Sequence, residues 1–162
     1  MSGGMRAAAV RTLGAVIVTA ILYFGIVFAL AFAMGVARVV FVAPRLGSAV
    51  AVLIEVPVIL AASWLVARYL LRRNAFGLPQ RLAVGGLAFT LLMLSEALMA
   101  SALLDQNLGQ WLAGVMAPLG LVGLAGQLGF AAIPALAARD RPVEADSSGT
   151  LPLPATKSPP SH

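Results

Sequence analysis

The chain has 162 residues, of which 60% are hydrophobic and only 10% are charged, and its mean hydropathy is +0.96. A soluble domain usually carries about 25% charged residues, so this chain cannot cover a water-facing surface of ordinary polarity. It contains no cysteine, which excludes disulfides, thiolate metal sites and cysteine nucleophiles. The composition therefore predicts an integral membrane protein.

The charge and the histidine content narrow the expected ligands. The single histidine, His162, is the last residue, so we predict neither a histidine-ligated metal nor a b-type haem, and no cofactor. The net charge is +5, but the arginines flank apolar segments. They therefore indicate topology beside anionic lipid, and we expect the lipid bilayer, not nucleic acid, as the partner.

Four apolar blocks are long enough to cross a membrane, since a span needs roughly 20 apolar residues. The first block follows a short basic leader, residues 1–11. A signal peptide is the alternative for this block, but its apolar segment would be only about 7–15 residues long. The predicted fold is all-α, a bundle of four transmembrane helices within residues 12–138. The predicted spans are about 12–37, 48–67, 82–104 and 111–138.

The segments between and after the spans carry turn and linker signals. In residues 38–47, Pro44 disfavours helix at Ala43 before it, and Gly47 permits a turn. Residues 105–110 are predicted to form a tight polar turn. Residues 139–162 are rich in proline, serine and threonine and are predicted to be a disordered cytoplasmic tail.

The basic residues predict the orientation. With four spans, one side of the membrane carries nine of them: Arg6, Arg11, Arg68, Arg72, Arg73, Arg81, Arg139, Arg141 and Lys157. The other side carries only two, Arg38 and Arg45. Because loops rich in Lys and Arg stay in the cytoplasm, both termini are predicted to be cytoplasmic, in a bacterial inner membrane.

Two carboxylates lie inside the predicted spans, Glu55 in the second and Glu96 in the third. Each costs on the order of 2–3 kcal/mol at mid-membrane. Counting from the helix ends at 1.5 Å per residue places both roughly 10–12 Å below the same membrane surface. Arg38 and Arg45 are the basic residues on that side, so these four are predicted to form an intramembrane polar cluster.

Three interpretations of this cluster stay open. The first is a structural network of ion pairs, in which Arg38 reaches between the second and third spans to a carboxylate. The second is a site for a proton, a cation or a ligand, because paired carboxylates at one depth can bind or relay charge. The third is an interface with another subunit.

Helix-breaking and small residues mark two further features. Pro57 follows Glu55 by two residues and removes a backbone hydrogen bond, which predicts a kink beside the acid. The fourth span carries Gly120, Gly123, Gly126 and Gly129 at a spacing of three. Such a stripe predicts close packing against a neighbouring helix, with a thin wall beside a pore or ligand as the alternative. Gln127 within the stripe is expected to form hydrogen bonds across helices.

Several short motifs carry a family resemblance: Tyr23-Phe24-Gly25, Arg38, Pro44-Arg45-x-Gly47, Glu55-x-Pro57, Arg72-Arg73, Arg81-Leu82 and Gly126-Gln127-Leu128. Together they resemble a family of small, uncharacterised four-helix bacterial inner-membrane proteins, over most of residues 12–138. The resemblance implies location and topology, and it assigns no activity to any residue.

The expected function is therefore broad. We expect a non-enzymatic accessory component that associates with itself or with a larger membrane complex. The alternative is a small transporter or channel, coupled to protons or cations through Glu55 and Glu96. A second alternative is a lipid-modifying membrane enzyme, in which the same glutamates act with Arg38 and Arg45 on a headgroup.

Overall fold

A computed structural model describes residues 2–137, and the chain is helical over almost all of this range. Four of the described helices are long and apolar enough to cross a membrane, which confirms the predicted all-α fold with four spans. The prediction for the tail, residues 139–162, lies outside the described residues. In chain order the elements are α1 (Ser2–Ala37), a π-helical segment (Arg38–Val42), α2 (Ala43–Leu46), α3 (Ser48–Arg72), α4 (Leu78–Leu104), α5 (Leu108–Met116) and α6 (Pro118–Leu136).

The four long helices form a ring in which α1 and α6 lie on opposite corners. Each of these two helices packs against both α3 and α4. The chain direction alternates, so one end of the bundle holds the end of α1, the start of α3, the end of α4 and the start of α6. We call this the Arg38 end, and the opposite end, with the loop between α3 and α4, the Arg72 end.

The apolar core lies toward the Arg72 end. All four long helices contribute to it, with small residues where backbones approach closely and larger ones between them. The fully or almost fully buried members include Val16, Ala20, Ala67, Val84, Ala88 and Ile133. The outward faces stay apolar too, as in Leu65 and Leu98, which are 68% and 69% exposed. Surfaces of this kind suit hydrocarbon and not water.

The connector after α1 differs from its predicted structure. Ala43 is helical, with φ −60° and ψ −38°, although Pro44 follows it. The preceding turn is π-helical, and the Ala43 N–H donates to the Arg38 carbonyl, five residues back. A proline ring normally clashes with the carbonyl four residues earlier, and the wider turn makes room for it. The turn itself comes at Gly47, where φ is +83°.

The fourth span is shorter than predicted. It begins at Pro118 and not near residue 111, because Ala117 is extended, with φ −68° and ψ 157°. A residue before proline is biased to this conformation. The preceding α5 is a separate helix, started by a capping box in which Asn107 and Gln110 bond each other's backbone N–H. At 19 residues, α6 is about 29 Å long, close to the thickness of the hydrocarbon layer.

The basic leader is a helical extension of the first span. The helix α1 begins at Ser2 and has 36 residues, so it is about 54 Å long. This exceeds a hydrocarbon thickness of about 30 Å. Residues 3–14 are exposed, Arg6 and Arg11 among them, and they extend past the packed core at the Arg72 end.

Candidate functional site

A cavity of about 430 Å³ lies between the four long helices, on the Arg38 side of the core. We call it the central cavity. Each span presents one polar side chain to it: Arg38 from the first, Glu55 from the second, Glu96 from the third and Gln127 from the fourth. The remaining lining is mainly apolar, so the cavity joins a small polar region to a larger hydrophobic one.

Arg38 and Glu55 form an ion pair between the first two spans. The distance between Arg38 Nε and Glu55 Oε2 is 2.6 Å, and the two side chains are 31% and 15% exposed. The Nε–H does not point along this line, so the contact is an ion pair and not an aligned hydrogen bond. The wide π turn that begins at Arg38 holds the arginine at the end of α1, beside the first turns of α3.

Glu96 is bonded to the last span. The Gln127 side-chain amide donates to Glu96 Oε1 over 2.6 Å, which joins α6 to α4. Both residues lie roughly 12–14 Å inside their helices when counted from Leu104 and Pro118. The amide is neutral, so this bond satisfies an oxygen of Glu96 without cancelling the charge that an ionised carboxylate would carry.

Arg45 and Pro57, both singled out in the sequence, lie outside the central cavity. The Arg45 guanidinium donates to the Phe41 carbonyl over 2.7 Å, within its own helical turns, and its side chain is exposed. Pro57 sits inside α3 on its exposed side, and α3 continues through it to Arg72. The polar region of the cavity therefore contains Arg38, Glu55 and Glu96, with Gln127 as its fourth member.

The four glycines of the predicted stripe have different surroundings. A Cβ on Gly126 would lie 3.0 Å from Val56, and one on Gly129 would lie 3.1 Å from Leu60, so these two allow α6 to approach α3. Gly123 lines the central cavity, and an added Cβ there would meet no atom within 4 Å. Gly120 packs against the end of α5, at the corner before α6.

An aromatic wall was not anticipated from the sequence. Phe24, Phe28 and Phe32 recur at a spacing of four along α1, and all three line the central cavity. Phe130 of α6 closes the cavity toward the core. Its ring stacks on Tyr23 with centroids 4.5 Å apart and planes 6° apart. The four-residue spacing places these side chains on one face of the helix, but the sequence does not show that this face lines a cavity.

A second, more open cavity of about 540 Å³ lies between the ends of α1 and α4. We call it the α1–α4 groove. It shares Phe32, Gly35, Arg38, Glu96 and Met99 with the central cavity. The two cavities are therefore adjacent, and the groove opens at the exposed apolar side chains of Val39, Val40 and Leu103.

Comparison with known proteins adds no relative, because no protein-family model, no curated protein and no solved structure matches this chain.

Proposed function

We propose that this protein is a non-enzymatic, multi-pass component of the bacterial inner membrane, which associates with itself or with a larger membrane complex. The observation that supports the proposal is the pairing of its intramembrane polar groups. Arg38 with Glu55 joins the first span to the second, and Gln127 with Glu96 joins the fourth to the third. Groups that are costly in hydrocarbon thus stabilise the bundle itself.

The outward surface is where such a component would meet its partner. It carries large apolar side chains on every span, including Leu22, Leu65, Leu98 and Leu128. Association in a membrane relies on close van der Waals packing between such faces, since lipid is as apolar as leucine. The partner would therefore be another membrane-spanning helix, from a second copy or from another protein.

Chemical crosslinking in native membranes, followed by affinity purification of the full chain, tests this proposal. We expect recovery of a second copy or of one partner in fixed stoichiometry. Recovery should persist in Glu96→Gln, because the carboxamide keeps the shape of the carboxylate and the outer surface is unchanged. A chain that is monomeric and has no stoichiometric partner would contradict the proposal.

The proposed topology places both termini in the cytoplasm. It is supported by the basic residues, which are concentrated at the Arg72 end, while Arg38 and Arg45 lie at the other. The chain has no cysteine, so in a single-cysteine variant the introduced cysteine is the one residue of this protein that a thiol reagent labels. In intact cells with a permeable outer membrane, an impermeant thiol reagent should label Gln106→Cys and spare Ala75→Cys. The reverse pattern would invert the topology.

A second candidate function is a small transporter or channel coupled to protons or cations. It is favoured by one observation, that Glu55 and Glu96 line the same cavity. Flux of protons or monovalent cations into liposomes tests it, with Asp105→Asn as a matched control for an acid outside the cavity. Loss of flux in Glu55→Gln and in Glu96→Gln, with normal thermal unfolding, would favour transport over the accessory role.

A further inference from the structure

The central cavity has the shape and polarity of a site for an amphiphilic molecule. Its volume of about 430 Å³ falls within the range of ligand pockets, about 300–1,000 Å³, which are mostly apolar with a few polar groups. The polar groups come from all four spans, so a bound molecule would contact every helix of the bundle. Gly123 leaves open space on the α6 side.

The charges around the cavity differ in how they are compensated. Arg38 and Glu55 lie within 2.6 Å of each other, so their formal charges cancel locally. Glu96 is bonded to the neutral amide of Gln127. When Glu96 is ionised, the cavity therefore holds one excess negative charge in an apolar setting, where an isolated carboxylate is costly. A monovalent cation in the cavity would compensate that charge.

The aromatic wall favours the same kind of ligand. Phe24 and Phe28 have ring centroids 5.2 Å apart, and Phe32 extends their line toward the polar region. Phenyl faces attract organic cations through the ring quadrupole, most strongly where water is excluded. Phe130 is held by Tyr23 on one side and lines the cavity as well. The wall can thus contact the apolar substituents of a cation as well as its charge.

The α1–α4 groove provides a route from the membrane. It shares both Arg38 and Glu96 with the central cavity, and its other lining residues are chiefly apolar, such as Val36, Val40 and Leu103. A molecule that partitions into the bilayer reaches the cavity through this groove without crossing the dry core. On the Arg72 side, Phe130 and the apolar core close the cavity.

We infer that the central cavity binds a lipophilic monovalent cation, with the Glu96 carboxylate as its counter-ion and Phe24, Phe28 and Phe32 as its aromatic wall. This inference goes beyond the proposed function, because binding requires neither a protein partner nor transport. Loss of binding would leave the accessory role untouched.

The test uses the purified full chain in lipid nanodiscs and two probes of the same shape, tetraphenylphosphonium and tetraphenylborate. Equilibrium dialysis against empty nanodiscs corrects for partition into lipid. We expect saturable binding of the cation and not of the anion. Glu96→Gln should weaken cation binding about tenfold or more, because it removes the negative charge and keeps the size and shape of the side chain. Asp105→Asn is the matched control and should bind as the wild type does.

A second variant tests the location of the site without altering charge. Gly123→Leu places a side chain in the open part of the cavity and should reduce binding by about tenfold or more. Gly25→Leu, on the exposed side of α1 with no atom within 4 Å of an added Cβ, is its control. Unchanged cation binding in Glu96→Gln or Gly123→Leu would overturn the inference, as would preferential binding of tetraphenylborate. Thermal unfolding checks that each variant is folded.

Discussion

The hydroxyl of Tyr23 donates a hydrogen bond of 2.9 Å to the backbone carbonyl of Phe130, and the two rings stack. This contact joins α1 to α6, the two helices at opposite corners of the bundle. It lies at the boundary between the apolar core and the central cavity, and Tyr23 is only 1% exposed. Tyr23 therefore satisfies its own buried hydroxyl and fixes the ring that closes the cavity.

Tyr23→Phe tests this contact by removing the hydroxyl and keeping the ring. We expect a loss of about 1 kcal/mol in the free energy of unfolding, the usual net value of one hydrogen bond, in proteins and in membranes. Tyr23→Ala should cost about 3–5 kcal/mol, because it also removes the stacked ring and leaves a void. Unfolding in mixed micelles of rising dodecyl sulfate content measures both. An equal effect of the two variants would show that the ring contributes nothing.

The ion pair between Arg38 and Glu55 predicts a non-additive pair of variants. Arg38→Gln alone leaves the Glu55 carboxylate without its counter-ion, and we expect a loss of about 1–3 kcal/mol, reduced from the fully buried value because Arg38 is about one-third exposed. Adding Glu55→Gln removes the orphaned charge, so the double variant should regain part of that loss. Unfolding of all four members of the cycle gives the coupling energy.

Arg45→Gln is the control for this cycle. Its guanidinium bonds the Phe41 carbonyl at an exposed position, so the variant should change the free energy of unfolding by less than about 1 kcal/mol. A coupling between Arg45 and Glu55 as large as that of Arg38 would contradict the assignment of the pair.

Two adjacent glycines in α4 offer a matched comparison. A Cβ on Gly85 would overlap the backbone carbonyl of Ala131 in α6, whereas one on Gly86 meets nothing within 4 Å. Gly85→Ala should therefore cost more than about 3 kcal/mol, since backbone and not a flexible side chain must move. Gly86→Ala should be neutral or stabilising by up to about 1 kcal/mol, because alanine is the better helix former. Similar unfolding midpoints for the two variants would rule out the close approach of α4 and α6.

The corner between α5 and α6 depends on Gly120. A Cβ there would lie 2.6 Å from the Val115 carbonyl oxygen and would overlap that of Gly114. We expect Gly120→Ala to open the corner and to alter the position of α5, whereas Gly123→Ala should leave it unchanged. The distance between spin labels at Leu108→Cys and Leu128→Cys, measured by pulsed electron resonance, reports the change. The same distance in both variants would contradict this role.

The conformation of the residue before a proline could be predicted from the sequence at one position and not at another. Ala43 and Ala117 both precede a proline, yet Ala43 is helical and Ala117 is extended. The π turn after Ala37 relieves the clash at Pro44 without breaking the chain direction. At Pro118 the helix is interrupted by extended Ala117, and Gly120 leaves room for the end of α5. The two alanines differ because the backbone around each proline packs differently. An Ala-Pro dipeptide alone does not predict which conformation the alanine adopts.

The polar region of the central cavity was likewise predicted only in part from the sequence. Residue counts along the spans placed Glu55 and Glu96 at one depth, with Arg38 on the same side of the membrane, and the structure brings these three to one cavity. The same counts also included Arg45, whose side chain bonds its own turn, and they gave Gln127 no named partner. Depth along a helix follows from sequence position at 1.5 Å per residue. Rotation about the helix axis does not, because packing against neighbours sets it.

By itself the sequence determined that this chain forms four helices long and apolar enough to cross a membrane, because apolar length must match the hydrocarbon thickness and every backbone group in a span must be bonded internally. Only the tertiary structure decided that Gln127 meets Glu96, that Phe24, Phe28 and Phe32 form a wall, and that a cavity lies between them. In a membrane nearly every face of a span is apolar. The hydrophobic pattern therefore carries little information about which face turns inward, and close packing of particular side chains decides it.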